Sequence, residues 1–307
     1  MRGFLSKFLV FALVTSVALL AGDYVLSRWM RRAHHPNSEI WYEVMEGKVD
    51  ADVIALGSSR ANTAFYPPVV DSVLDTYSWN LGVLGHHFEA ENLRYEMFRL
   101  HNRKPRLVVQ FVDPQLFYAN TSFDRVQFLP WFWDRAFRKG IRENFGSGFF
   151  YKNAIPFVRY HSFLPWEVSS RDRRTERGFH TYESERDDPY TPFYQEVFFQ
   201  DDDLPERFIA LLRSLKKEGI AVVMVNPPEY GRIVYQEGQR EAMRSCMDSI
   251  ALITGTPYLD YTGMDLCADS TCFIDTWHLN LKGALVFSDS LSNDILRLRR
   301  AGALPGF

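Results

Sequence analysis

Short apolar runs with little polar alternation recur along the chain after residue 40. They occupy residues 52–56, 77–83, 107–112, 220–225 and, more weakly, 257–260. A half-exposed strand alternates apolar and polar positions, whereas a strand covered on both faces does not. The runs therefore predict a parallel sheet buried between two layers.

Helical patterns separate these runs, at residues 89–102, 204–217, 235–252 and 282–300. The clearest has one apolar face at the i, i+3, i+4, i+7 spacing, formed by Phe208, Leu211, Leu212 and Leu215. Strands that alternate with helices are typical of α/β folds. We therefore predict one α/β domain over residues 40–307.

Residues 114–200 interrupt this alternation and are rich in aromatic side chains. We predict one insertion after the third strand rather than a second independent domain. Trp131, Phe132 and Trp133 are consecutive, so they cannot all point inward from one helix. The insertion is either a local core under a long excursion, or a lid, a membrane-facing patch or a partner surface.

The N-terminus carries an uncharged stretch from residue 8 to residue 22, which follows Arg2 and Lys7. A helix needs about 20 apolar residues to cross a bilayer core, and apolar neighbours on both sides lengthen this stretch. Residues 1–32 therefore predict a signal anchor or a cleaved signal peptide. We favour the anchor, because cleavage at the small-x-small site of residues 16–18 would leave an unusually short apolar region.

An anchor of this kind predicts that the body of the protein lies outside the cytoplasm. Charge alone does not fix the orientation, since basic residues on the two sides of the stretch balance: Arg2 and Lys7 before it, and Arg28, Arg31 and Arg32 after it.

Composition removes one class of partner. The chain has 307 residues, of which 46% are hydrophobic and 24% charged, with a net charge of -3 and no basic block. Proteins that bind nucleic acid usually present a basic surface, so we expect no nucleic-acid partner.

Three cysteines, Cys246, Cys267 and Cys272, would enter an oxidising compartment if the body is exported. We expect one disulfide and one free thiol, with Cys267 paired to Cys272 or Cys246 paired to Cys267. Ligand spacing for zinc is missing, and the adjacent His86 and His87 point apart, so we expect no metal site and no cofactor.

Candidate chemistry begins at "ADVIALGSSR", where the first predicted strand ends on Gly57, Ser58 and Ser59. Ligands of open α/β sheets bind at the carboxyl ends of the strands, where backbone N–H groups converge at the start of the next helix. A serine at this point is placed as a nucleophile. The alternative is a purely structural helix cap.

A second motif near the C-terminus favours the nucleophile. In "CFIDTWHLNLKGA", Asp275 and His278 are three residues apart. At that spacing an aspartate can reach the imidazole, fix its tautomer and stabilise the imidazolium that forms when histidine takes a proton from serine.

With these motifs, residues 50–115 and 220–300 resemble the SGNH or GDSL-type hydrolases. Within this family the chain resembles the membrane-anchored "GSSR" variety, akin to proteins of alginate acetylation and teichoic-acid D-alanylation. The resemblance implies a three-layer αβα, flavodoxin-like fold. It also implies that Ser59 is the nucleophile, with His278 as general base and Asp275 as its partner. Ser58 is either a backbone cap or the nucleophile itself, and we favour the cap.

The resemblance extends to residues around the reacting oxygen. "WNLGVLGHH" is similar to the second family block, which implies that the N–H of Gly85 belongs to the oxyanion hole. In the third block the family has Gly-x-Asn-Asp, whereas this chain reads "QFVDP", so Val112 replaces the asparagine donor and only Asp113 remains. Loss of such a donor typically costs about 10²–10³ in turnover, or about 3–4 kcal/mol.

Two further residues complete the predicted oxyanion and substrate-binding set. Arg60 either holds a substrate anion or pairs with a nearby acid. Asn80 either braces the turn after the first strand or is a simple turn residue.

The sequence thus predicts a membrane-anchored, extracytoplasmic enzyme that handles acyl esters, most simply acetyl esters, of a surface polysaccharide. Water as acceptor makes it an esterase, and a sugar hydroxyl makes it an O-acyltransferase. The alternative is a non-catalytic subunit of the same shape that docks on a membrane-bound O-acyltransferase.

Overall fold

The computed structural model describes residues 2–31, 36–85, 88–112, 116, 127–160, 175–180, 194–195, 203–231, 234–235 and 238–307. These residues form two compact units. The first comprises residues 1–42 and 125–172, and the second comprises residues 43–124 and 173–307.

The helices and strands follow one another in this order: α1 Arg2–Met30, α2 Pro36–Met45, β1 Val53–Leu56, α3 Ser59–Ala64, α4 Pro67–Leu74, β2 Ser78–Asn80, α5 Phe88–His101, β3 Leu107–Phe111, α6 Arg135–Ala154, β4 Thr175–Glu176, β5 Phe179–His180, β6 Tyr194–Gln195, α7 Leu204–Lys217, β7 Ala221–Asn226, β8 Val234–Tyr235, α8 Gln239–Thr254, β9 Tyr258–Asp260 and α9 Leu281–Arg300.

The second unit is built on a five-stranded parallel sheet with the strand order β2-β1-β3-β7-β9. Val53 of β1 is paired with Leu107 of β3, which in turn is paired with Ala221 of β7. All residues of these three strands are buried, which explains why their sequences lack polar alternation. The sheet confirms the predicted α/β class.

Helices cover both faces of this sheet. On one face α9 packs against α3 and α4, and its Phe287, Leu291 and Ile295 join the alternate strand residues in one buried cluster. On the other face α7 packs against α5 and α8, with Phe88 and Phe208 in edge-to-face contact. The result is the three-layer αβα arrangement.

The first unit contains α1, which is long and apolar enough to cross a bilayer, with a mean hydropathy of 2.2 over its most apolar window. Its N-terminal part is exposed, whereas Asp23 near its C-terminal end is fully buried. Asp23 forms an ion pair with the buried Arg159 and accepts a hydrogen bond from Nε1 of Trp133 at 2.8 Å. The last third of α1 is therefore an integral part of this unit.

The consecutive aromatic residues of the predicted insertion are mostly core residues of the first unit. Trp131 and Phe132 are buried, while Trp133 is only partly covered. Phe128 and Phe137 pack against Trp41 with their rings edge to face. Much of the remaining insertion lies outside the described residues.

The predicted disulfide is wrong, because all three cysteines are free thiols. Cys267 and Cys272 lie in two successive short 3₁₀ helices, and each buried thiol donates to its own acceptor. Sγ of Cys267 contacts the carbonyl oxygen of Tyr261 at 3.4 Å, and Sγ of Cys272 contacts Oδ2 of Asp269 at 3.4 Å. Burial raises the pKa of all three thiols.

We predict that alkylation of the denatured, unreduced protein modifies three thiols. In the native protein, Cys246 should react first, because it is partly exposed while Cys267 and Cys272 are buried. Mass spectrometry of a time course of alkylation measures both results. If only one thiol is modified after denaturation, the other two form the disulfide that the sequence predicted.

We predict that Asp23→Ala destabilises the first unit by about 3–5 kcal/mol, because it leaves the guanidinium of Arg159 buried without its partner. Urea unfolding in detergent, followed by tryptophan fluorescence, measures the change. The control Lys139→Ala breaks the exposed pair with Glu143 and should cost at most about 1 kcal/mol. Equal effects of the two variants would contradict a structural role for Asp23.

Candidate active site

The site begins at the turn from β1 into α3. Gly57 has a φ of 151°, and a Cβ atom there would lie 2.6 Å from Cβ of Phe111 and 2.8 Å from Cβ of Ala61. Only glycine therefore lets the chain pass between β3 and α3. Ser58 caps α3 through its Oγ, which accepts the N–H of Arg60 at 3.2 Å. Ser59 becomes the first residue of the helix.

Ser59, His278 and Asp275 come together as a continuous hydrogen-bonded chain. Nε2 of His278 lies 2.8 Å from Oγ of Ser59, and Nδ1 of His278 lies 2.7 Å from Oδ2 of Asp275. Both distances are those of good hydrogen bonds. The structure thus gathers the three predicted catalytic residues in the order that a nucleophile, a base and an orienting acid require.

The other carboxylate oxygen of Asp275 holds the turn that carries the histidine. Oδ1 accepts the backbone N–H groups of Trp277 at 2.7 Å and of His278 at 2.9 Å. Burial raises the pKa of Asp275, but its hydrogen bond to His278, the charge of that imidazole and these two N–H groups outweigh burial and lower it below its usual value. Asp275 is therefore ionised throughout the neutral range.

This turn is fixed to the start of α9. Asn280 caps α9 by accepting the N–H of Gly283 at 3.1 Å, and its own N–H donates to the carbonyl oxygen of Cys272 at 3.1 Å. A Cβ on Gly283 would lie 2.3 Å from that same carbonyl oxygen. The close approach of α9 to residue 272 sets the position from which His278 reaches Ser59.

Gly85 follows the turn after β2, with a φ of 66° and an exposed position. Its N–H and that of Ser59 make no hydrogen bond within the described part of the chain. Val112, by contrast, is buried, and its N–H donates to the carbonyl oxygen of Val225 at 2.8 Å. Position 112 therefore contributes no donor to the site. Asp113 lies outside the described residues, as do His86 and His87.

Asn80 is fully buried and braces α3. Its Nδ2 donates to the carbonyl oxygens of Ala61 at 2.7 Å and Phe65 at 2.8 Å, and its Oδ1 accepts the N–H of Gly82 at 2.9 Å. The amide thus joins the segment that leads to Gly85 to the helix that begins with Ser59.

Arg60 is also buried, with 4% of its surface exposed. Its Nη2 donates to the carbonyl oxygens of Pro227 at 2.7 Å and Pro228 at 3.2 Å, and its guanidinium lies 5.2 Å from the ring centre of Trp277. The structural partner of Arg60 is thus a pair of carbonyl groups instead of the expected acid. The loop after β7 also contacts the turn that carries Asp275 and His278, since the N–H of Tyr230 donates to the carbonyl oxygen of Thr276 at 3.0 Å.

The sequence analysis missed a hairpin of the insertion that contacts α3. β4 and β5 are joined by Arg177 and Gly178, both with positive φ, as in a type I′ turn. Nδ2 of Asn62 donates to the carbonyl oxygen of Gly178 at 2.7 Å, and a Cβ on this glycine would lie 1.7 Å from the carbonyl oxygen of Asn80. The Arg177–Gly178 pair is a local signal for the turn of this hairpin. Nothing in the neighbouring sequence indicates that the hairpin contacts α3.

No group of three His, Cys, Asp or Glu side chains placed to hold a metal ion occurs among the described residues.

Comparisons with known proteins identify similar solved structures but no family for this chain. No protein-family model matches the chain, and no curated protein matches its sequence. Solved structures that are similar include an acetyl xylan esterase, at 16% identity and a TM-score of 0.44, which covers 79% of this chain and 98% of its own.

Two others are a candidate acylhydrolase from Bacteroides fragilis and a family two carbohydrate esterase from Clostridium thermocellum. The first has 12% identity and a TM-score of 0.41, with 89% of this chain and 96% of its own covered. The second has 11% identity and a TM-score of 0.38, with 82% and 65% covered.

We predict that Asn80→Ala lowers the free energy of unfolding by about 1–3 kcal/mol for each buried carbonyl or N–H group left unpaired. The control Asn293→Ala removes a similar amide from the exposed face of α9 and should cost less than about 0.5 kcal/mol. Chemical denaturation measures both. Equal costs would mean that the amide of Asn80 does not brace α3.

Proposed function

We propose that this protein is an SGNH-type serine enzyme that transfers or hydrolyses acyl groups by way of a covalent acyl-serine. The observation that carries the proposal is the hydrogen-bonded chain from Ser59 through His278 to Asp275. The three side chains come from the first and last segments of the α/β fold, yet they meet with the geometry that this chemistry needs.

In the proposed first step, Oγ of Ser59 attacks the carbonyl carbon of the ester while Nε2 of His278 takes its proton. Asp275 holds Nδ1–H of the imidazole and stabilises the imidazolium. The tetrahedral intermediate then collapses, and His278 returns the proton to the departing alcohol oxygen. The serine now carries the acyl group.

The second step repeats the first with a new acceptor. His278 takes a proton from the acceptor hydroxyl, whose oxygen attacks the acyl carbon, and the proton passes back to Oγ of Ser59. Water as acceptor gives hydrolysis, and a sugar hydroxyl gives transfer. Both reactions use the same residues.

The N–H groups of Ser59 and Gly85 are the proposed donors to the negative oxygen of the intermediate. Both are free of other hydrogen bonds within the described residues. An asparagine donor at position 112 is replaced by the buried Val112. Turnover is therefore expected to be lower than with a complete set of donors, by about 10²–10³.

Arg60 and Asn80 are proposed as positioning residues rather than as residues that touch substrate. Asn80 holds α3, and Arg60 holds the loop after β7, which contacts the catalytic turn at Thr276. Their burial supports this assignment, together with the backbone hydrogen bonds of the Asn80 amide and of Nη2 of Arg60.

The proposed substrate is an acyl ester, most simply acetyl, of a cell-surface polysaccharide, and α1 is the proposed anchor that keeps the body at the outer face of the membrane. The motif resemblance supports the substrate class. The burial of Asp23, Ser27 and Met30 supports an anchor that is retained, because the end of α1 is built into the first unit. Under this proposal, residues 1–32 form the anchor, and residues 40–307 carry the α/β domain with its insertion at residues 114–200.

We predict that a fluorophosphonate probe labels Ser59 in the folded protein. Labelling should be absent in Ser59→Ala and fall by about 10⁴-fold or more in His278→Ala, because an unassisted hydroxyl does not react. Asp275→Asn should lower turnover of an acetyl ester by about 10⁴-fold with the fold intact, because it imposes the wrong imidazole tautomer. Mass spectrometry of the labelled peptide and a chromogenic ester assay measure these effects.

The matched control is Ser58→Ala, which removes the neighbouring hydroxyl and costs about 1 kcal/mol of helix capping but should keep most of the labelling. A folded protein that the probe leaves unlabelled would exclude the covalent mechanism. The non-catalytic partner subunit would then be the better explanation.

A further inference from the structure

Four large apolar side chains are exposed within eight residues of the first unit. Tyr151 is 66% exposed, Ile155 53%, Phe157 40% and Val158 48%. They lie at the C-terminal end of α6 and in the short segment that follows it. Clustered exposed apolar groups, unlike scattered ones, usually mark an interaction surface. We call these four side chains the 151–158 patch.

The patch contacts α1 at Gly22 and Asp23. A Cβ on Gly22 would lie 2.9 Å from Cζ of Phe157, so the ring packs directly on the helix at this glycine. The backbone N–H of Phe157 donates to Oδ1 of Asp23 at 2.8 Å, and the guanidinium of Arg159 pairs with the same carboxylate. These contacts fix the height of the patch along the axis of α1.

That height coincides with the end of the apolar part of α1. The uncharged stretch runs from Phe8 to Gly22, and its large side chains face outward, as with Leu13 at 64% and Leu20 at 44% exposed. At about 1.5 Å per residue this stretch spans about 22 Å, most of a hydrocarbon core. The first charged group beyond it is the carboxylate of Asp23, which is buried against Arg159. The patch therefore lies where the hydrocarbon core gives way to the headgroups.

The charged and aromatic residues near the patch also favour a position at the membrane headgroups. Lys152, in the last turn of α6 and next to Tyr151, is basic. The other basic residues of α6 precede Gly146, where the helix is kinked, and are not part of the patch. Basic side chains beside an apolar face are typical of segments that lie in the plane of a membrane and contact lipid phosphates. Tyr24 and Trp29 of α1 are also exposed, as expected for aromatic residues at the membrane boundary.

We propose that the 151–158 patch is inserted into the headgroup boundary of the same bilayer that α1 spans. The first unit then holds the membrane at two points, a spanning helix and an interfacial segment, and cannot rotate freely about α1. The occupant of the patch is lipid, not a partner protein. This inference rests on the proposed role of α1 as an anchor.

The test places an environment-sensitive fluorophore on single cysteines of the full-length chain. The parent carries Cys246→Ser, and the labelled positions are Ile155→Cys and Val158→Cys in the patch. Leu13→Cys reports on the middle of α1, and Glu143→Cys is the matched control on the polar surface of α6. Each protein is reconstituted in vesicles of phosphatidylcholine and phosphatidylglycerol that contain no other protein. The vesicles also contain nitroxide lipids, which quench fluorescence either near the headgroups or near the bilayer centre.

We expect blue-shifted emission at 155 and 158, with stronger quenching by the shallow nitroxide than by the deep one. The label at 13 should show the opposite order of quenching, and the label at 143 should behave as in water. The parent should take up no label, since Cys267 and Cys272 are buried.

The outcomes separate the inference from the anchor. Deep quenching at 13 with a water-like signal at 155 and 158 would overturn the inference while the anchor stands, and would point to a protein partner at the patch. A water-like signal at 13 would overturn the anchor. Residues 155 and 158 are exposed, so the labels do not depend on a change in the core.

Discussion

The hydrogen bond between Oγ of Ser59 and Nε2 of His278 joins side chains that are 219 positions apart in the chain. It can form only if α9 begins close to α3, and two glycines permit this. Gly57 leaves room for Phe111 and Ala61, and Gly283 leaves room for the carbonyl oxygen of residue 272. A methyl group at either position would displace an element that carries a member of the triad, so the whole site depends on close backbone packing at these points.

Around this bond the polar groups divide into those that bind other parts of the fold and those proposed to bind substrate. The amide of Asn80 and one guanidinium nitrogen of Arg60 bind carbonyl groups of neighbouring segments. The N–H groups of Ser59 and Gly85 make no hydrogen bond within the described residues. This division fits the proposed chemistry, in which buried bracing holds the site rigid and the two N–H groups donate to the negative oxygen of the intermediate.

The first unit follows a different physical rule. Its buried ion pair joins Arg159 to Asp23, which lies in a helix that is otherwise suited to lipid. A carboxylate near the end of such a helix is costly unless a cation and hydrogen-bond donors meet it, and here Arg159, Trp133 and the backbone of Phe157 do so. The same contacts hold the exposed 151–158 patch beside the end of the apolar stretch of α1. The polar cluster around Asp23 thus holds α1 within the first unit and sets the position of the 151–158 patch along α1.

The sequence alone determined the class of fold, since the strands of a doubly covered sheet must be apolar throughout, and the predicted runs lie within a residue or two of β1, β3, β7 and β9. It also determined the turn of Asp275 and His278, because contacts at i, i+3 are local. Tertiary structure decided the rest. It showed that Cys267 and Cys272 are free thiols with separate acceptors, that Arg60 binds carbonyl groups and that the Arg177–Gly178 hairpin contacts α3. The contacts of Arg60 and of the hairpin join segments that are more than 100 residues apart, and residue spacing carries no information about such distances. The cysteine acceptors are close in sequence, but spacing does not reveal that each thiol turns to its own acceptor instead of to the other thiol.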